Sequence, residues 1–172
     1  MKLIFPTIEY KLAVLDYRQE HVDNNVFHMH GSAGFMSYVE GESYENWLGR
    51  VTLAQTDDPD GYVNSTTFLA VIQVKVVGMI SIRHYLNDAL LNKGGHIGYG
   101  VRPSERGKGY ATKMLALALE ESRTLGIDRV LVTCDKGNIG SAKTILKNGG
   151  VLENEITEED GNVHQRYWID VI

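Results

Sequence analysis

The segment Gly95-His96-Ile97-Gly98-Tyr99-Gly100-Val101-Arg102-Pro103-Ser104-Glu105-Arg106-Gly107-Lys108-Gly109-Tyr110-Ala111 narrows the folds open to this chain more than any other. Gly95 to Val101 reads as a strand, and Pro103 ends it, because proline has no N–H to donate within a central strand. A glycine-rich turn follows. From Gly109 to Leu125 the apolar residues Ala111, Met114, Leu115, Ala118 and Leu125 share one helical stripe, which Gly126 stops. The chain must therefore pass from strand to tight turn to long helix within a few residues.

The flanking sequence extends this pattern. Arg129 to Cys134 predicts a strand and Ile139 to Asn148 a second helix, stopped by Gly149-Gly150. Val151 to Ile156 and His164 to Ile172 predict two more strands, with Asp160-Gly161-Asn162 as the turn. Upstream, Thr66 to Val74 and Val76 to Ile82 are rich in β-branched residues and little more than Lys75 parts them, so they predict an antiparallel pair. Ile8, Leu12 and Leu15, then Tyr44, Trp47, Leu48 and Val51, recur at helical spacing, with Gln55 to Asn64 as a polar loop. No repeat or long linker divides the 172 residues, a length that suits one domain spanning 1–172. The expected class is α/β (α+β), a mixed sheet flanked by helices.

Charge and cysteine usage exclude several function classes. Lys and Arg number 17 against 22 Asp and Glu, a net charge of −5, which lacks the clustered basic excess that nucleic acid requires. The single cysteine, Cys134, permits no internal disulfide. Met1 to Pro6 holds too short an apolar stretch for a signal peptide, and no window approaches the ~20 apolar residues of a membrane span. The expected address is cytoplasmic, with no membrane and no nucleic-acid partner.

The glycine-rich turn carries the chemistry. Gly107 and Gly109 let the backbone turn sharply and approach a ligand closely. The helix that starts there offers unpaired N–H groups and the positive end of its dipole, which suit a pyrophosphate, and Arg106 and Lys108 add charge. A Walker A loop needs Ser or Thr directly after Gly-Lys, where this chain has Gly109. A dinucleotide fingerprint starting at Gly98 runs into Pro103.

What remains resembles the cofactor signature of the GNAT superfamily of acyl-CoA N-acyltransferases. That signature is Gln or Arg, two residues, Gly, one residue, then Gly or Ala, met by Arg106, Gly109 and Ala111. Ile82-Arg83-His84, the run Gly94 to Pro103 and Asn148-Gly149-Gly150 are similar to a subgroup of bacterial predicted acetyltransferases. The resemblance implies a central, mostly antiparallel sheet splayed at the cofactor site. It implies acetyl-CoA as cosubstrate, no metal, and direct acetyl transfer to a primary amine of a small molecule or peptide, with a homodimer left open. Val101 would bond the pantetheine arm through its main chain, Arg106, Gly107, Lys108, Gly109, Tyr110, Ala111 and Thr112 would wrap the pyrophosphate, and Asn138 would reach the pantetheine region.

The match breaks at the catalytic groups. Relatives place a thiolate-protonating tyrosine seven residues after the asparagine, and that position is Ile145, so Tyr99 or a water must substitute. A non-catalytic acyl-CoA sensor is the alternative this leaves. Relatives carry a glutamate base early in the fourth strand, and the nearest ionisable residue is His96, which otherwise is a strand residue bonded at the sheet edge. His84 either lines a substrate pocket or caps its strand. Cys134 reads as a small core residue, and Tyr44, Trp47 and Trp168 as core aromatics. His28-Met29-His30 lacks further metal ligands and reads as a polar loop. Glu153, Glu155, Glu158, Glu159 and Asp160 form an acidic stretch that either solvates a hairpin or attracts a cationic amine.

Overall fold

The two β-branched runs form the hairpin on which the rest is built. In the computed structural model, which describes residues 1–35, 41–57 and 62–171, β2 is Ser65–Ile72 and β3 is Lys75–Arg83, paired antiparallel. The turn falls at Gln73 and Val74, two residues earlier than the pattern predicts. Gln73 takes a left-handed φ of 56°, and Val74, expected as strand, is 81% exposed. A β-branched side chain at a turn tip satisfies strand statistics without being in a strand.

Alternate residues of the hairpin bury on opposite faces. Phe68, Ala70, Val77, Ile80 and Ile82 enter one core cluster, and Leu69, Val71, Val76 and Met79 enter another. A sheet apolar on both faces needs cover on both, and helices supply it. β1, Lys2–Ile4, joins the outer edge of β2, a short strand that the sequence pattern misses. β4, Ile97–Val101, pairs antiparallel with β3, giving the order β1-β2-β3-β4.

α1, Lys11–Asp23, and α2, Tyr44–Leu53, cover one face. The expected stripe of Ile8, Leu12 and Leu15 is not the buried one: Ile8 sits in a 3-10 turn and is exposed, and Leu12 is 79% exposed. The sheet instead meets Val14, Tyr17 and His21, since a helical face that includes Tyr and His escapes a purely apolar count. Tyr44 and Trp47 are fully buried there, with the Trp47 indole N–H donated to Ser32 O at 2.8 Å.

A short helix, α3, Asp88–Asn92, precedes β4, and α4, Tyr110–Thr124, covers the opposite face through Met114, Leu115 and Ala118. Gly126, at φ 75°, closes α4, and the Ile127 N–H reaches back to Ser122 O at 3.0 Å. β5, Arg129–Asp135, α5, Ile139–Lys147, β6, Val151–Thr157, and β7, Val163–Asp170, complete the chain, with a second antiparallel sheet in the order β5-β7-β6. Trp168 is only half-buried, beneath the Arg129 guanidinium 4.8 Å from its ring, rather than a core residue. Ile172 and residues 58–61 of the expected polar loop lie outside the described residues. No described helix is long and apolar enough to cross a membrane.

Candidate functional site

The two sheets meet at one place and part beyond it. Gly95 forms an isolated bridge with Val132, and Gly94 donates its N–H to Thr133 Oγ1 at 3.2 Å. Gly95 has φ 64°, and a side chain there would come within 2.4 Å of Leu131 O, so only glycine permits this approach. His96 completes the joint. Its N–H donates to Leu131 O at 2.8 Å, its ring Nδ1 accepts the Leu131 N–H at 2.9 Å, and its carbonyl accepts the Arg83 N–H of β3 at 2.8 Å.

Past His96, β4 exposes a bare edge. The bonds from Arg83 N to His96 O and from Arg102 N to Val77 O, 2.9 Å, flank a ladder in which Ile97, Tyr99 and Val101 face Ile82, Ile80 and Gly78. Those are non-hydrogen-bonded pairs, so the N–H and C=O of Ile97, Tyr99 and Val101 point away from β3, toward β5. Among the described residues, only the Val101 carbonyl finds a partner, the Arg106 Nε at 3.1 Å. Backbone groups left unpaired in this way form a template for an extended ligand.

The edge leads into the glycine turn. Gly107 and Gly109 have φ of 76° and 80°, and a side chain on either would meet no heavy atom within 4 Å. Conformation, not crowding, demands glycine there, and the space above stays open. The N–H groups from Gly107 to Thr112 have no hydrogen-bond partner among the described residues, the last of them being the free first turn of α4. Six donors at the positive end of a fifteen-residue helix make an anion cradle. Arg106 and Lys108 stand exposed beside it. Glu105 accepts from Lys108 at 2.8 Å and Lys75 at 2.6 Å, and these bonds pull its carboxyl down to about 2.

Arg102 anchors the base of the turn. Buried against Tyr17, it donates from Nε to Val76 O at 2.9 Å and from Nη1 to Asp16 at 2.7 Å and Glu20 at 3.0 Å. Glu20 also accepts the Ser104 N–H at 2.8 Å. Burial opposes ionisation of Glu20, but Ser104 and Arg102 together hold its carboxyl below the usual range. The turn is thus pinned to α1, a link that no motif in the sequence announces.

On the α4 and α5 side of β4, the Tyr99 hydroxyl lies 2.7 Å from Ser141 Oγ. Burial pushes that phenol up to about 12, with the Ser141 bond opposing. Asn138 caps α5, its Oδ1 accepting the Ser141 N–H at 3.0 Å. Cys134, buried nearby, has its thiol raised by burial, and Ile145 is a fully buried core residue. His96 is buried too, and burial first, then Arg83, push its imidazole down to about 4. A neutral ring that accepts at Nδ1 carries its proton on Nε2.

On the other face, Gly98 borders a cavity of about 640 Å³ lined also by His28, His30, Gly31, Arg50 and Arg83. The segment carrying the two histidines lies directly on β4: a side chain on Gly31 would come 2.7 Å from Gly98 O, and one on Gly100 2.7 Å from His30 O. The His28 and His30 rings stand edge to face at 4.3 Å, and neither is hydrogen-bonded among the described residues. Burial, then His28, lowers the His30 imidazole below its ordinary value. Two histidines one residue apart were the only signal of this wall in the sequence. His84 does not line the cavity; its Nε2 lies 2.9 Å from Thr66 Oγ1, and burial lowers its pKa.

Comparison with known proteins fits this geometry. The family model described as acetyltransferase (GNAT) domain matches residues 12–151. No protein of curated function matches the chain. Among solved structures, the Salmonella typhimurium acetyltransferase that modifies the N-terminal serine of ribosomal protein L7/L12 is 18% identical, with a TM-score of 0.69 over 99% of this chain and 94% of that one. The putative acetyltransferase yncA from Salmonella typhimurium, solved with acetyl-CoA, is 13% identical, with a TM-score of 0.67 over 99% and 94%. The spermidine N-acetyltransferase SpeG from Vibrio cholerae, solved as a point mutant, is 18% identical, with a TM-score of 0.65 over 99% and 95%.

Proposed function

Because the chain belongs to the GNAT acetyltransferase family, we propose that it moves an acetyl group from acetyl-CoA directly onto a primary amine. The observation that carries this reading is the continuity of unpaired main-chain groups, from the six free N–H groups of Gly107 to Thr112 along the open edge of Val101, Tyr99 and Ile97 to the cavity at Gly98. Acetyl-CoA brings an acyl group activated as a thioester and a thiol that can leave.

The residues present suit that cosubstrate. Gly107, Lys108, Gly109, Tyr110, Ala111 and Thr112 hold the pyrophosphate by their N–H groups, with Arg106 and Lys108 supplying charge. Val101 and Tyr99 offer their free edges to the amides of the pantetheine arm, and Arg106 releases the Val101 carbonyl as the arm arrives. Asn138 serves by fixing the first turn of α5, and through Ser141 the Tyr99 hydroxyl.

Tyr99 is placed to hydrogen-bond the departing sulfur. Full proton transfer from a phenol at about 12 to a thiolate of pKa ~8.5 runs ~5 kcal/mol uphill, so Tyr99 acts as a donor to the thiolate and not as its acid. An attacking amine of pKa ~10 must first lose a proton. His30 takes it: its imidazole is neutral at pH 7, unbonded and on the cavity wall next to β4. His96, with Nδ1 committed to Leu131 and a proton on Nε2, holds the sheets together instead.

Calorimetry with acetyl-CoA, followed by thiol release across a panel of amines, tests the proposal. Binding with thiol release on at least one amine is the expected result, and failure of the folded protein to bind CoA overturns it. Binding without thioester consumption on any amine favours an acyl-CoA sensor.

A further inference from the structure

We infer that the acceptor amine also carries an anionic group, a carboxylate or a phosphate, which the Arg83 guanidinium holds in the cavity beside Gly98. The inference rests on the acetyltransferase reading and adds the acceptor's chemical class to it.

Arg83 ends β3, and its main chain is fixed by the bond to His96 O. Its side chain crosses to β4, where Nη2 and Nη1 lie 3.7 and 3.8 Å from the position a Gly98 Cβ would take. Nη1 donates to Gly94 O at 3.2 Å and to Gly95 O at 3.1 Å. A guanidinium has five N–H donors, so Nε and Nη2 are left to spend.

No carboxylate pairs with Arg83 among the described residues. Four other arginines do meet an acid. Arg50 is bonded to Glu42, Arg102 to Asp16 and Glu20, Arg129 to Asp170 and Arg166 to Glu153. Arg83 is more than half-buried, and burial lowers its pKa, yet an arginine stays charged at neutral pH. Removing a cation from water without a counter-charge is costly, and a ligand anion offsets that cost when it binds. Bidentate pairing with carboxylate or phosphate is what the planar fork does best.

The rest of the wall agrees. Among the described lining residues there is no Asp or Glu, so the cationic arms of a polyamine meet no counter-charge. Met29, Val51, Leu53 and Leu90 give the cavity apolar surface for an aliphatic or aromatic body. Gly98 is the neighbour of Tyr99 on β4, so an anion on Arg83 lies beside the open edge along which the thioester is proposed to run. An amino acid or a phosphorylated short amine carries both groups.

The test compares matched amines with acetyl-CoA present: leucine against leucinamide, O-phosphoethanolamine against ethanolamine, and spermidine. The expected result is kcat/KM at least ~10-fold higher for one anionic member over its neutral match, the pair showing the preference identifying carboxylate or phosphate. R83Q should remove that preference and R83K should keep part of it, with acetyl-CoA binding by both variants showing that the fold survives. Equal use of anionic and neutral members, preferred use of spermidine, or an unchanged preference in R83Q overturns the inference while leaving the transferase standing. Arg83-dependent calorimetric binding of an anionic amine without thiol release supports the inference and removes the transferase.

Discussion

His96 grips Leu131 by both of that residue's main-chain groups, donating its own N–H to the Leu131 carbonyl at 2.8 Å and accepting the Leu131 N–H on ring Nδ1 at 2.9 Å. This clasp joins the two sheets at the last point before they part. A protonated imidazole has no lone pair to accept with, so the clasp requires the neutral state, which burial and Arg83 favour.

Replacing His96 therefore tests a structural role. H96A leaves the buried Leu131 N–H unpaired and should cost ~1–3 kcal/mol in chemical denaturation. The folded imidazole lies near 4 against 6.5 when free, so the unfolded chain binds the extra proton between those values. Stability from this group is complete above pH 6.5 and is lost as pH falls toward 4. H96A should lack that acid-side increment.

Tyr99 should matter to turnover more than to binding. Y99F removes a donor to a developing thiolate, and kcat should fall ~10- to 100-fold with little change in acetyl-CoA affinity. A rise in the acetyl-CoA dissociation constant with kcat intact would place Tyr99 in ground-state binding instead.

Gly109 should be sensitive through its backbone. G109A meets no atom, yet it forces alanine into φ 80°, at ~1–2 kcal/mol. The expected outcome is a folded protein that binds CoA roughly 10-fold more weakly, because the turn relaxes and its N–H groups lose their convergence. Calorimetry reads this directly.

His30 should set the acidic limb of the rate profile. Burial and His28 lower its imidazole below the ordinary 6.5, so kcat/KM should climb as pH rises through that lowered value and level off above it. H30Q should lower kcat ~100-fold or more and flatten that limb. A profile that keeps its shape in H30Q would assign the proton to another group.

Much of the fold was legible because it rests on neighbours in the chain. Pro103 stopped β4, Gly126 closed α4, and alternating apolar residues drew the β2 and β3 hairpin, each through contacts a few residues long. The misses have the same root. α1 turned its Val14, Tyr17 and His21 face inward because the sheet it meets is far away in sequence, and nothing local ranks that face above Leu12 and Leu15.

The sequence by itself determined the glycine turn, since left-handed backbone at Gly107 and Gly109 is a property of those residues alone. It also determined the four free N–H groups from Gly109 to Thr112, which a helix start leaves. Only the tertiary structure decided that His30 keeps a free ring on the cavity wall, that Arg83 meets no acid among the described residues, and where the sheets part. His96 meets Leu131 across 35 residues, and Arg83 reaches Gly94 and Gly95 across 11 and 12. Proton affinity and charge balance follow from desolvation and the partners a group meets, and those exist only once distant segments have packed.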